Sequence, residues 1–156
     1  MKIFIISDTH FHHENIIKYS NRPFKSVEEM DVEMIRRWNN KVGKEDIVLH
    51  LGDFALGNEK EIKELRDSLN GTIFLLKGNH DHKMLKKAGF IIINGTLEIG
   101  NIIFSHNPLK KEDTRGFINV HGHIHEKESL YGFNISVEKM NYEPVELDEL
   151  MKKINQ

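Results

Sequence analysis

Five apolar runs in this chain end in the same small set of polar residues, and no other feature constrains the fold as strongly. Ile3-Phe4-Ile5-Ile6 leads into Asp8 and His10, and Ile47-Val48-Leu49 into Asp53. Ile73-Phe74-Leu75-Leu76 leads into Lys77-Gly78-Asn79-His80-Asp81, Ile102-Ile103-Phe104 into His106, and Phe117-Ile118-Asn119-Val120 into His123 and His125. Short β-branched and aromatic runs of this kind read as strands buried on both faces. A buried strand hands its last residues to a site on the carboxyl edge of its sheet. Strand ends that all offer Asp, Asn or His share one common cause most simply in a bound metal.

The segments between the runs carry helix signals. Ser26 with Glu29 three residues later is a capping box, and Met30, Met34, Ile35 and Trp38 recur at helical spacing, predicting a helix over about 27–40. Asn58 caps a charged helix that turns Ile62, Leu65 and Leu69 inward and stops at Asn70-Gly71. Short helices are expected around Ile16-Ile17 and over about 82–88, and an amphipathic one over 147–154 after Pro144. Beyond Gly89 strands are expected at 90–93, 96–99, 102–105, 117–121 and 130–137, with Asn94-Gly95 and Gly100-Asn101 as hairpin turns. Strand–helix alternation followed by a strand-rich half predicts an α/β fold of two packed sheets with helices on the outer faces.

Composition narrows the function. With 156 residues, 38% of them hydrophobic, one domain spanning 1–156 can bury a core of its own. A net charge of -2 and a pI near 6.6 supply no global field for nucleic acid or an anionic membrane, so a nucleic-acid substrate would need a local basic patch. The absence of cysteine excludes disulfides, thiolate metal sites and cysteine nucleophiles. The chain opens directly into a strand, and no apolar run approaches the roughly 20 residues of a membrane span, so a soluble, cytoplasmic protein is expected.

Asp8, His10, Asp53, Asn79, His106, His123 and His125 together offer two carboxylates, one amide and four imidazoles. That set exceeds one ion and suits two, with a carboxylate shared. Mixed oxygen and imidazole donors favour Mn²⁺ first, with Fe, Zn²⁺, Ni²⁺ or Co²⁺ also suited, whereas Mg²⁺ and Ca²⁺ prefer fewer histidines. Two such ions about 3.5–4 Å apart generate a bound hydroxide and clamp an in-line displacement at phosphorus. Phosphoester hydrolysis is the reaction class implied.

In order and spacing, Asp8-Thr9-His10, Gly52-Asp53, Gly78-Asn79-His80-Asp81, His106 and Gly122-His123-Ile124-His125 resemble the motif series of the calcineurin-like metallophosphoesterases. Asp8-Thr9-His10-Phe11, His13-Glu14-Asn15-Ile16-Ile17, Asn21-Arg22-Pro23-Phe24 and Leu49-His50-Leu51-Gly52-Asp53-Phe54 are similar, more narrowly, to small single-domain members from bacteria and their phages. The resemblance implies a four-layer α-β-β-α sandwich with a dinuclear site at its centre. It implies Asp8, His10 and His125 at the first metal, Asn79, His106 and His123 at the second, Asp53 as bridge and His80 as the general acid for the leaving alkoxide.

Departures shape the substrate. The family's protein phosphatases carry Asp-Arg after the bridging aspartate and Glu after the Asn-His pair. Here Asp53 is followed by Phe54-Ala55-Leu56-Gly57, and His80 by Asp81. The double-strand-break nucleases usually place a histidine soon after that aspartate, where this chain has Phe54-Ala55-Leu56-Gly57, and add a cap domain for which 156 residues are expected to leave no room. A small, nucleotide-like phosphodiester, with a monoester as a further possibility, is the expected substrate of a monomer or small homo-oligomer. A nuclease or dinucleotide pyrophosphohydrolase on the same metals is the alternative, and a noncatalytic scaffold sits poorly with a complete ligand set. His13 reads equally as a phosphate contact or a solvated residue, and Arg22 equally as a phosphate fork or a surface arginine in a turn. His12 and His82 read as solvated loop residues, and His50 and His121 as packing or ligand-supporting histidines.

Overall fold

Side chains of a strand alternate between two faces. In β1 (Ile3–Ile6), Phe4 and Ile6 enter one hydrophobic core and Ile5 another. The computed structural model describes residues 1–79, 81 and 84–156, Met84 by its backbone alone. His80 and His82 lie outside the described residues, as does the start of the helix expected over 82–88.

After β1 the chain runs through α1 (Ile16–Tyr19), α2 (Val27–Lys41), β2 (Ile47–His50), α3 (Glu59–Ser68), β3 (Thr72–Leu76), α4 (Met84–Lys87) and β4 (Ile91–Ile93). It continues through β5 (Leu97–Ile99), β6 (Ile102–Ser105), β7 (Ile118–His121), β8 (Phe133–Asn134), β9 (Val145–Glu146) and α5 (Leu147–Ile154). The first sheet has the order β4-β3-β2-β1-β9, parallel except for β9, and the second the order β5-β6-β7-β8, with only β5 antiparallel. These are two mixed sheets flanked by helices, the α/β class expected.

Capping starts the helices where the sequence places them. Ser26 Oγ accepts from the Glu29 N–H at 3.1 Å. The Glu29 carboxylate reaches one residue past the cap, accepting from the Lys25 N–H at 2.6 Å. Asn58 and Glu61 form a reciprocal box at 2.9 and 2.8 Å. Met30, Met34 and Trp38 of α2 and Ile62 and Leu65 of α3 then pack with Phe4, Val48, Ile73 and Leu75 of the first sheet. The opposite face of that sheet, through Ile5, Leu49 and Leu76, meets Ile102, Phe104 and Val120 of the second, and Leu150 of α5 closes this inter-sheet core.

Two expectations need correction, and one strand was not anticipated. Asn94-Gly95 does not turn a hairpin: β4 joins β3 in parallel in the first sheet, while β5 pairs with β6 in the second. The strand expected over 130–137 shrinks to β8, because Gly132 takes φ +85 against Asn119 before it and a 3-10 turn, Val137–Lys139, begins after it. The pairing of β9 with β1 has no two-residue signature in the sequence.

Phe104 is fully buried between the sheets. Phe104→Ala should therefore lower unfolding free energy by about 3–5 kcal/mol in urea denaturation; a loss below about 1 kcal/mol would mean the sheets do not rest on it.

Candidate metal centre

Parallel pairing brings the ends of β1, β2 and β3 to one edge of the first sheet, and those of β6 and β7 to one edge of the second. The β1–β2 ladder continues past the strands through Asp8 N–H to Gly52 O at 3.0 Å, His10 N–H to Asp53 O at 3.0 Å and Phe11 N–H to Phe54 O at 2.9 Å. The second sheet meets it where the His123 N–H donates to Asp8 Oδ2 at 2.8 Å. Only glycine permits that approach, since a Cβ on Gly122 would lie 2.0 Å from Ser7 Oγ and 2.1 Å from Asp8 Oδ2.

Asp8, His10 and His125 offer ligand atoms within 4.8 Å of one another, and so do Asp53, His106 and His123. Asp53 Oδ2 lies 3.6 Å from His10 Nε2 of the first group and 3.4 Å from His106 Nε2 of the second. It therefore lies between the two groups, within 4 Å of a nitrogen of each. Asn79 is exposed in the loop that follows β3.

The hydrogen bonds behind each ligand orient it. Asp8 is fully buried, and its Oδ2 accepts from Ser7 Oγ at 2.5 Å, Ser136 Oγ at 3.3 Å and the His123 N–H. Among the described residues its Oδ1 has no hydrogen-bond partner, and it faces His10 and His125 Nε2, each at 3.9 Å. His106 Nδ1 lies 2.8 Å from the Leu51 carbonyl, to which it can only donate, so the lone pair of the neutral ring is on Nε2. That nitrogen is buried and has no hydrogen-bond partner among the described residues. His125 donates from Nδ1 to Glu138 Oε1 at 2.9 Å, which likewise turns Nε2 inward. An unsatisfied buried carboxylate oxygen and imidazole nitrogen, aimed into two clusters of oxygen and nitrogen donors, fit divalent cations.

Asp8, His10, Asp53, His123 and His125 all have φ between +49 and +71. Left-handed backbone is uncommon outside glycine, with Asn, Asp and His tolerating it best, and it concentrates at functional sites. The curled strand exits thus use residue types that suit both the backbone and the ligand role.

Other histidines and carboxylates act as supports. His13 Nδ1 lies 3.3 Å from His10 Nδ1, beside the first group. His50 accepts the Gly52 N–H at Nδ1 and donates from Nε2 to Thr9 Oγ1 at 3.0 Å, and burial lowers its pKa to about 3. His121 bonds Gly122 O and Ser129 Oγ. His12 is exposed as expected, yet its N–H donates to the Asp31 carboxylate of α2 and its ring to Leu56 O. Sequence reasoning missed Asp81, whose carboxylate accepts from the N–H groups of Asp53, Phe54 and Gly78 at 2.8, 2.9 and 2.7 Å and fixes the loops after β2 and β3. It also missed Glu138. Asp-x-His spacing or a glycine could flag neither, because each works across the fold.

Arg22 is not the free phosphate fork or surface residue the sequence allowed. Its side chain is wholly buried, and its N–H groups go to Glu138 Oε1, the carbonyls of Asp8 and Thr9, and Met30 Sδ. Two surface cavities of about 540 and 510 Å³, lined among others by Lys77 and Phe90 and by His12 and Glu61, contain none of the candidate ligands.

The model of the family "Calcineurin-like phosphoesterase" matches residues 1–155. The chain belongs to that family. The chain is 44% identical to the uncharacterized protein MJ1445 of Methanocaldococcus jannaschii over 98% of its own length and 91% of that protein's. It is 36% identical to the gene 66 protein of Mycobacterium phage L5 over 53% of this chain, spanning only 42% of the phage protein. Among solved structures, the protein of unknown function AQ665 from Aquifex aeolicus superposes with TM-score 0.77 at 28% identity, over 97% of this chain and 98% of that one. The nuclease MPE of Pseudomonas putida superposes with TM-score 0.56 at 14% identity, over 79% of this chain and 61% of that one, a likeness of fold alone.

Burial opposes charge on His106, but the Asp53 and Asp8 carboxylates outweigh it and raise the imidazole pKa; Glu138 outweighs burial in the same way at His125. Cations bound at these nitrogens would have to displace those protons, so affinity should fall as pH drops through the raised imidazole range, and loading should release protons. Calorimetric titration in buffers of different ionisation enthalpy measures the release; affinity independent of pH from 5 to 8, a range of about three decades in proton activity, would contradict it.

Proposed function

We propose that this phosphoesterase is a dinuclear enzyme that hydrolyses a small, nucleotide-like phosphodiester, with monoesters as a further substrate class. The observation that carries the reading is the position of Asp53 Oδ2 between His10 Nε2 at 3.6 Å and His106 Nε2 at 3.4 Å, from which one carboxylate would serve both ligand groups. Asp8, His10 and His125 would hold one ion and His106, His123 and Asn79 the other. Mn²⁺ best suits this balance of carboxylate and imidazole donors. Bound cations would supply Lewis-acid stabilisation of the phosphoryl oxygens and an ionised water at neutral pH.

The protein's own groups complete the chemistry. Asp81, held by three N–H groups, anchors the chain directly after His80. His80 follows the proposed ligand Asn79 and is the candidate donor of a proton to the departing alkoxide. His13, beside His10, lines the approach to the phosphate in this reading. A nuclease reading of the same groups draws on the Pseudomonas putida protein, and diesters of increasing size separate the two.

Metal-stripped protein supplied with Mn²⁺ should hydrolyse bis-p-nitrophenyl phosphate and small nucleotide diesters; inertness toward every phosphorus ester with every divalent ion would reject the proposal. His80→Ala should keep its metal and lose about 10²–10⁴-fold in turnover of diesters with poor alkoxide leaving groups. The loss should be much smaller with p-nitrophenolate, which leaves without a proton. Equal losses on both would remove His80 from the role of acid.

A further inference from the structure

Arg22 and Glu138 are 116 residues apart in sequence and form an ion pair with side-chain exposures of 0% and 3%. Arg22 Nε and Nη2 donate to Glu138 Oε1 at 2.9 and 2.7 Å. Nη1 donates to Thr9 O and Nη2 to Asp8 O, both at 2.7 Å. These are the carbonyls between Asp8 and His10, whose φ values are +59 and +49. Glu138 Oε1 also takes the Nδ1–H of His125 at 2.9 Å. One guanidinium and one carboxylate thus touch the segments that carry all three members of the first ligand group.

The second group is held by different means. His106 is oriented by the Leu51 carbonyl, and the Asp53 loop by Asp81. A buried ion pair is often no more stabilising than apolar side chains of the same volume. Folding stability alone therefore does not account for this pair, whereas its contacts account for the aim of Asp8, His10 and His125.

We propose that Arg22 and Glu138 are positioning residues dedicated to the first metal group. Glu138 fixes the ring orientation and tautomer of His125, and Arg22 holds the left-handed turn from Asp8 to His10. The inference rests on the two-ion reading of the site. It predicts that the two ions respond unequally when the pair is altered.

The test is Mn²⁺ binding to the metal-stripped full chain, followed by calorimetry and elemental analysis without reference to turnover. Glu138→Gln and Arg22→Lys should each weaken one of the two binding events about 10–100-fold and leave the other at its wild-type affinity. Wild-type affinity for both ions in both variants would overturn the proposal, as would equal weakening of both. If the single variants do not fold, Arg22→Met combined with Glu138→Leu restores an uncharged pair; it should fold and bind one ion tightly, and two tight ions would be contrary. Wild-type protein that itself takes up only one equivalent would instead overturn the two-ion reading, and it does so before any substitution is made.

Discussion

The Asp8 carboxylate is the constraint on which the rest of the structure depends. It has no solvent exposure, three donors on one oxygen and, among the described residues, no hydrogen-bond partner on the other. Burial pushes its pKa up, against the pull of His106 and His125 toward the ionised form. A group in this position costs folding energy unless something positive meets the bare oxygen. The donors arrive from the end of β1, from the loop after β7 and from the segment after β8, so the same carboxylate ties the two sheets at their shared edge.

The geometry around it is local and unequal. Left-handed backbone at Asp8, His10, Asp53, His123 and His125 lets short strands end abruptly and turn their side chains inward. The strain is held by partners whose work lies elsewhere in sequence: Arg22 and Glu138 for one ligand group, Asp81 and the Leu51 carbonyl for the other. Apolar burial, divided between a helix-facing and an inter-sheet core, supplies the rigidity that keeps these ends in place.

Much of this is legible in the sequence because it is written locally. Apolar runs ending in Asp or His place β1, β2, β6 and β7, and the caps at Ser26 and Asn58 start α2 and α3. What escapes is decided at a distance. Asn94-Gly95 carries a hairpin signal, but a turn signal cannot say which sheet the next strand joins, and β4 pairs with β3. Arg22 reads as a phosphate fork or a surface residue because Glu138, its buried partner, lies across the fold. Asp81 reads as a variant of a motif, although three backbone N–H groups converge on it. The grouping of Asp8 with His10 and His125, and of Asp53 with His106 and His123, follows from parallel pairing once the sheet order is known.

The claim that most needs a direct test is that one carboxylate joins two cation sites into a single centre. Electron paramagnetic resonance of the protein loaded with two equivalents of Mn²⁺ reads this without any substrate. A shared Asp53 predicts an exchange-coupled pair with ions about 3.5–4 Å apart, converted by Asp53→Asn to uncoupled or partial occupancy. Two magnetically isolated ions in the unaltered protein, with Asp53→Asn retaining both in full, would contradict the account.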